Sequence, residues 1–271
     1  MPIKKYSLFA LLLIAVGCKT TNNYYAAAEE KDAAFITDGK LYSSLFIQRA
    51  AEYKALCFQA YNAATQRLQD IVTRHTFSKP LAIVTDIDET VLDNTPNSVH
   101  QAFAGKDFEP KAWEEWTARA EADTICGAKT FFDFARSKGV EVFYITNRNE
   151  SERAATLKNL QKFDFPFADN AHLLLRTTTS GKADRRNAVS RTHEIVLLCG
   201  DNLSDFSEVF DKNNEEKRTS GVRNNAALFG NKFIVLPNPN YGDWEGALYE
   251  YNNQLTPKQK AEIIRKKLKT Y

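Results

Sequence analysis

The sequence is poor in the residues that cross-link a chain or wire a metal into it. It carries four cysteines in 271 residues, at positions 18, 57, 126 and 199, and no C-x-x-C pair. That spacing speaks against a disulfide framework and a cysteine zinc site, and Cys57, Cys126 and Cys199 read as buried free thiols. The four histidines, His75, His100, His172 and His193, are scattered, and none lies in a haem-attachment motif. The apolar run Leu8–Val16 is far shorter than the ~20 residues that a membrane-spanning helix needs. A surplus of one charge is also lacking. Lys4 and Lys5 are the only charges in the first 17 residues, and the rest balances at 34 basic against 34 acidic. Nothing in that balance asks for a nucleic-acid backbone as partner. What is present, 43% hydrophobic and 26% charged residues, is the composition of a soluble globular protein with ample material for a core.

The opening "MPIKKYSLFALLLIAVGC" is basic, then apolar, then ends in Gly17 and Cys18, which predicts a signal peptide over residues 1–17. The small residue before a cysteine resembles the lipobox of bacterial lipoproteins. In that family the cysteine is lipidated and becomes the new N-terminus, so the resemblance implies an acyl anchor (palmitate among its chains) on Cys18. It also implies an exported protein at the outer membrane, facing periplasm or cell surface. Ordinary cleavage with Cys18 incidental is the alternative. The polar "KTTNNYYAAAEEKDAA" behind it predicts a flexible tether over residues 18–40.

From residue 41 to about 74, apolar residues recur at helical spacing without Pro or Gly, giving one long helix or two abutting ones. "LAIVTD" then reads as a strand buried on both faces. A polar, helix-leaning insert follows at 94–126. After it, helices near 128–137, 151–161 and beyond Gly181 alternate with strands at 140–146, 171–176, 194–200 and 232–236. This alternation predicts a doubly wound α/β fold, a parallel sheet with helices on both faces.

The active site of such a sheet lies beyond the carboxyl ends of its strands. Polar residues gather there: Asp86 and Asp88 after the first strand, Thr146, Asn147 and Arg148 after the second, Lys182 at a helix start, and Asp201 and Asp205 after the strand ending in Gly200. Taken singly, each has an ordinary explanation as a cap, turn or surface residue. Together with Glu89, three acids crowd into four positions, and their repulsion must be offset by a proton, a basic side chain or a metal ion. Asp86 and Asp201 can share a hard cation such as Mg²⁺. "SGKA" does not make a P-loop, because Arg176 stands where Gly is required and Ala183 where Ser or Thr is.

With "DIDET" and "GDNLSDF" the chain resembles the haloacid dehalogenase-like superfamily, and within it the class C acid phosphatases, bacterial lipoproteins related to 5′-nucleotidases. "WEEWTARAEADTICGA" and "NPNYGDWE" share in the likeness, which covers roughly residues 41–250. The resemblance implies a phosphatase domain at 41–271 with a small, mainly helical cap at 94–126. It implies that Asp86 attacks a phosphate monoester, that Asp88 serves as acid and then base, and that Thr146 and Lys182 hold the phosphoryl oxygens. Mg²⁺ would be bound by Asp86, the Asp88 carbonyl and Asp201, with Asp205 a ligand or an orienter. Asn147 and Arg148 would meet substrate, and Trp116 and Tyr241 would stack on a nucleobase, while Trp113 and Trp244 read as core. The expected partner is a nucleoside monophosphate, with membrane contact only through the anchor and room for a homodimer. The rival readings are a phosphotransferase of the same fold and a surface lipoprotein that binds a nutrient such as haem.

Overall fold

A computed structural model of the chain describes residues 17–74 and 76–271. The expected signal peptide, up to residue 16, and His75 lie outside the described residues. The first elements are α1 (Gly17–Arg49), α2 (Ala51–Arg74) and β1 (Leu81–Thr85). An insert follows: β2 (Leu92–Asp93), α3 (Thr95–Phe103), α4 (Pro110–Arg119) and β3 (Asp123–Thr124). Then come α5 (Ala128–Ser137), β4 (Glu141–Asn149), α6 (Arg153–Lys162), β5 (Leu173–Arg176), α7 (Ala183–Thr192) and β6 (Glu194–Gly200). The chain closes with α8 (Glu215–Asn224), β7 (Phe233–Val235), α9 (Asp243–Leu248) and α10 (Pro257–Lys267).

Five strands form a parallel sheet in the order β5–β4–β1–β6–β7. Its apolar runs alternate between two cores, as the period of two in a strand requires. Ile83 of β1 and Val142 and Tyr144 of β4 face one core, with Tyr61 and Leu68 of α2, Phe131 and Phe132 of α5, and Leu160 of α6. Ala82, Val84, Phe143 and Ile145 face the other, with Val189 of α7 and Leu198 of β6. Helices therefore cover both faces, and removal of each large apolar side chain from water contributes about 1.5–3 kcal/mol. Because the strands are parallel, the ends of β1, β4 and β6 open on one edge. That edge carries Asp86, Thr146 and Asp201.

The apolar spacing left one helix or two between 41 and 74, and two abut at Ala50. β4 runs three residues past the expected end at Thr146, because Asn149 pairs with Arg176 of β5 after a register shift. The insert of 94–126 holds α3 and α4, and a two-residue antiparallel pair, Leu92↔Thr124 and Asp93↔Asp123, joins its end to the residues just before it. The expectation of a flexible tether at 18–40 needs correction, since α1 runs through it. The segment has no Pro, no Gly before Gly39 and an alanine-rich centre, all favourable to helix. Tertiary contacts hold its second half: Asp32 pairs with Arg265 of α10 at 2.8 Å and Lys40 with Glu245 of α9 at 2.7 Å. Among the described residues, no helix is long and apolar enough to cross a membrane.

Candidate active site

The end of β1 is tied to β6 by the Asp86 N–H, which donates to the Cys199 carbonyl at 2.9 Å. The chain then turns sharply. The Ile87 carbonyl accepts from Val91 at 2.7 Å and Leu92 at 2.9 Å, and Glu89 takes a left-handed backbone with φ 57°. On the neighbouring strand, Gly200 leads into a short turn where Asp205 Oδ2 accepts from the Asn202 N–H at 3.0 Å. A side chain at Gly200 has no room, since a Cβ there would lie 2.6 Å from the Asp205 Cβ. Close approach, rather than unusual torsion, requires this glycine.

Three carboxylates meet at this edge. One oxygen each of Asp86, Asp201 and Asp205 lies within 4.8 Å of the others. Lys182, at the start of α7 and almost wholly buried, places its Nζ 2.7 Å from Asp86 Oδ1 and 2.6 Å from Asp205 Oδ1. Asp201 accepts from the Thr90 hydroxyl at 3.1 Å and from Asn238 Nδ2 at 2.8 Å. Burial pushes the Asp86 carboxyl well above the usual carboxylate range; Lys182 draws it down, while Asp205, Asp201 and Asp88 raise it further. Burial and Asp205 push Asp201 up to about 7, against the pull of Asn238 and Lys182. Burial would strip Lys182 of its proton, but Asp205 and Asp86 more than offset that and raise it above its ordinary value. One ammonium among three carboxylates, Asp205 buried and Asp86 and Asp201 half-buried, leaves negative charge uncompensated. The donor set is all oxygen and hard, and a divalent cation such as Mg²⁺ fits it.

Asp88, two residues on, stands in a different network. Its Oδ1 accepts from Arg148 Nη2 at 2.7 Å, Arg148 Nε at 3.0 Å and Asn94 Nδ2 at 2.9 Å. The Thr146 hydroxyl reaches Oδ2 at 3.3 Å. Glu89 is buried, with Oε1 accepting the Asn94 N–H at 2.8 Å and Oε2 without a hydrogen-bond partner among the described residues. Burial, followed by Asp88 and Asp201, pushes it well above the carboxylate range. The three crowded acids are thus relieved in three ways: Asp86 by a lysine, Asp88 by an arginine, Glu89 by a proton.

Over this edge lies a cavity of about 560 Å³, lined by Asp86, Asp88, Lys182, Asp201 and Asp205 below and by residues of the insert and of α9 above. Of the residues expected to meet substrate, Asn147, Arg148 and Tyr241 line it. Arg148 is 2% exposed, with its guanidinium committed to Asp88 and Thr156, so it backs Asp88 instead of presenting a free charge to a ligand. Thr146 is fully buried, its hydroxyl between the Arg148 N–H at 3.2 Å and Asp88.

The tryptophans change places. Trp116 packs against the core and donates Nε1 to Asn94 Oδ1 at 2.8 Å, and it is not part of the cavity wall. Trp113, expected in the core, lines the cavity, with the Arg148 guanidinium 5.8 Å from its ring centre. The other ring assigned to the core, Trp244, is 47% exposed. On an amphipathic helix, residues three apart differ by about 60° in direction, enough to exchange a wall for a core. Asn94 and the Arg148–Asp88 pair were missed as a unit. Their only signal in sequence is an Asn and an Arg beside motif residues.

Cys57 and Cys199 are buried and Cys126 partly so, all three free. Cys18 opens α1.

The chain matches the family of HAD superfamily, subfamily IIIB (acid phosphatase), over residues 15–244. It is similar to the class C acid phosphatase from Bacillus anthracis, with 43% identity, a TM-score of 0.84, and coverage of 87% of this chain and 99% of that one. The structure of the Bacillus anthracis class C enzyme with tungstate bound matches with a TM-score of 0.83, over 87% of this chain and 98% of that one. Among curated proteins, acid phosphatase 1 of Solanum lycopersicum is 30% identical over 129 residues, which is 45% of this chain and 50% of that one. The stem 31 kDa glycoprotein of Glycine max is 26% identical over 126 residues, 44% and 50% of the two chains. The chain thus spans about half the length of these curated relatives.

Proposed function

The chain belongs to the subfamily IIIB acid phosphatases of the HAD superfamily, and on that premise we propose that it hydrolyses phosphate monoesters, with 5′-nucleotides as substrates and Mg²⁺ as cofactor. The observation that carries the reading is the cluster of Asp86, Asp201 and Asp205 around Lys182, open to a cavity that also contains Asp88. A tetrahedral oxyanion, tungstate, is bound in a structure of the 43% identical relative, in keeping with a site of this kind built for phosphate.

Asp86 supplies the nucleophile. One of its carboxylate oxygens forms a bond to phosphorus while the ester P–O bond breaks, leaving an aspartyl-phosphate and an alkoxide. Asp88 gives that alkoxide its proton. It then takes a proton from the water that cleaves the acyl phosphate and frees inorganic phosphate and Asp86. Arg148, Asn94 and Thr146 fix Asp88 for both transfers. Lys182 offsets the charge of Asp86 and Asp205 and faces the incoming phosphoryl group. Held by the carboxylates of Asp86 and Asp201 and the Asp88 carbonyl, with Asp205 as ligand or orienter, Mg²⁺ would neutralise phosphoryl oxygens and shield the nucleophile. Trp113 and Tyr241 offer ring faces to a base, where stacking contributes about 1–3 kcal/mol per base.

Phosphate release from a panel of monoesters, before and after chelation, tests the reading. Activity is expected to vanish with chelator, return with Mg²⁺, peak below neutral pH and be lost in Asp86→Asn. A folded Asp86→Asn variant within tenfold of the parent would refute the covalent route. Export and acylation at Cys18 form a further part of the proposal, supported by the leader-like sequence. Cys18→Ser should then release the protein from membranes.

A further inference from the structure

Four basic side chains line the cavity: Lys40, Arg148, Arg176 and Lys182. Three are matched by acids. Lys182 meets Asp86 and Asp205, Arg148 meets Asp88, and Lys40 meets Glu245 at 2.7 Å and Asp107 at 3.5 Å. Arg176 stands apart. Among the described residues it makes no ion pair, and its Nη2 donates to the neutral Asn149 Oδ1. Acids are not scarce in this wall, for Glu114, Glu152 and Asp243 also line it. Arg176 is the cavity cation that none of them engages.

Its position gives the unmatched charge a use. Arg176 ends β5, two strands from β1 in the sheet order. At about 4.8 Å between neighbouring strands, its backbone lies roughly 10 Å along the sheet edge from that of Asp86. The loop from Arg176 to Lys182, "RTTTSGK", therefore carries a cation at each end. Lys182 reaches the carboxylate at which phosphorus would be attacked, and Arg176 reaches the same cavity further out. An anion on the leaving group would meet a guanidinium that need not break an ion pair to receive it. Such charge-assisted, potentially bidentate contacts are the strong ones.

We propose that Arg176 forms a subsite for a second anionic group, a phosphate or a carboxylate, on the leaving group of the substrate. This inference rests on the phosphatase reading and narrows it: monoesters whose leaving group carries a second anionic group are taken in preference to those of the same shape whose leaving group is neutral.

The test uses full-length protein with Mg²⁺ and unreactive ligands, so that binding is read apart from turnover. Benzylphosphonate is compared by calorimetry with its 4-carboxy and 4-phosphono derivatives, the two derivatives separating carboxylate from phosphate. The parent is expected to bind at least one derivative about tenfold more tightly than benzylphosphonate, the size of one charged hydrogen bond. Arg176→Gln should erase that difference while leaving benzylphosphonate within twofold, and Arg176→Lys should restore part of it. Equal affinities in the parent, or an equal loss for all three ligands in Arg176→Gln, would overturn the inference. Phenyl phosphate turnover is measured alongside. Equal affinities with normal turnover sink the subsite alone, whereas discriminating binding without turnover sinks the phosphatase reading alone.

Discussion

Arg148 grips Asp88 with two nitrogens, Nη2 at 2.7 Å and Nε at 3.0 Å from Oδ1, and both residues are tied in turn to Thr146 and Asn94. The fork fixes where the Asp88 carboxyl points, which matters for a group that must hand a proton first to one oxygen and then take one from another. Burial opposes the Arg148 charge, yet Asp88 and its hydrogen bonds hold it more firmly protonated than usual.

Arg148→Lys removes the fork and keeps the charge. If Arg148 positions Asp88, kcat should fall about 100-fold, the scale expected for a misplaced catalytic group. The Mg²⁺ concentration for half-maximal activity should stay within twofold, because Asp86, Asp201 and Asp205 are untouched. A large rise in that concentration with kcat preserved would assign Arg148 to the metal side of the site.

Among the described residues, Lys182 is the only side chain that forms an ion pair with the trio of carboxylates. Lys182→Met leaves Asp86 and Asp205 facing each other in a buried site, and breaking a buried pair in this way costs about 3–5 kcal/mol. Urea unfolding of the chelated variant should show a loss of that order. Saturating Mg²⁺ should recover part of it by supplying the missing charge. An unchanged midpoint would mean that the carboxylates are relieved by other means.

Asp201 carries the pH dependence whose sign can be worked out. Its ordinary value is 3.8, and in the folded, metal-free protein it is raised to about 7. Between these values the folded state binds a proton that the unfolded chain has released, so this group's contribution to stability falls as pH rises. Asp201→Asn removes the titration. In chelator, the variant should gain roughly a few °C in Tm over the parent at pH 7.5 and lose that advantage near pH 4. The opposite trend, an advantage confined to low pH, would contradict the shift.

Gly200 is where sequence and structure part in an instructive way. The buried strand β6, its acidic end and the parallel sheet are all legible, because they follow from short apolar runs alternating with helices and from polar residues set just past them. That Gly200 must be a glycine was not, since its need comes from Asp205 folding back over it, five residues on. The same holds for Trp113 and Trp116: both sit in one amphipathic segment, and only the docking of α4 decides which ring meets the cavity. The pairing of Arg148 and Asn94 with Asp88 is hidden for a related reason, as Asp88 is 60 and 6 residues away along the chain; the sequence marks Arg148 only as a substrate contact. The polar composition of residues 18–40 hides a good helix former, which gains its contacts from α10 and α9.

Gly200→Ala follows from that contact. The added methyl would lie 2.8 Å from Asp205 Cγ and must push the carboxylate off Lys182 and off the Asn202 N–H. Overpacking of this sort costs about 1–3 kcal/mol. The variant should fold with a lowered Tm and require much more Mg²⁺ for half-maximal activity. Parental Mg²⁺ dependence would show that Asp205 can move without consequence for the metal.

The two tryptophans of α4 should separate binding from chemistry. Trp113 lines the cavity, so Trp113→Ala removes a ring face from the substrate side. KM for nucleoside monophosphates should rise about tenfold, as the loss of one stacking contact predicts, while KM for glycerol phosphate, which has no ring, should hold. Trp116 packs against the core and does not line the cavity. Its indole N–H instead fixes Asn94, whose amide donates to Asp88. Trp116→Phe keeps the packing and deletes that hydrogen bond, so kcat should fall for both substrate types and KM for neither should move. If Trp116→Phe raises KM for nucleotides alone, the ring lies against the base and the assignment of the two tryptophans is reversed.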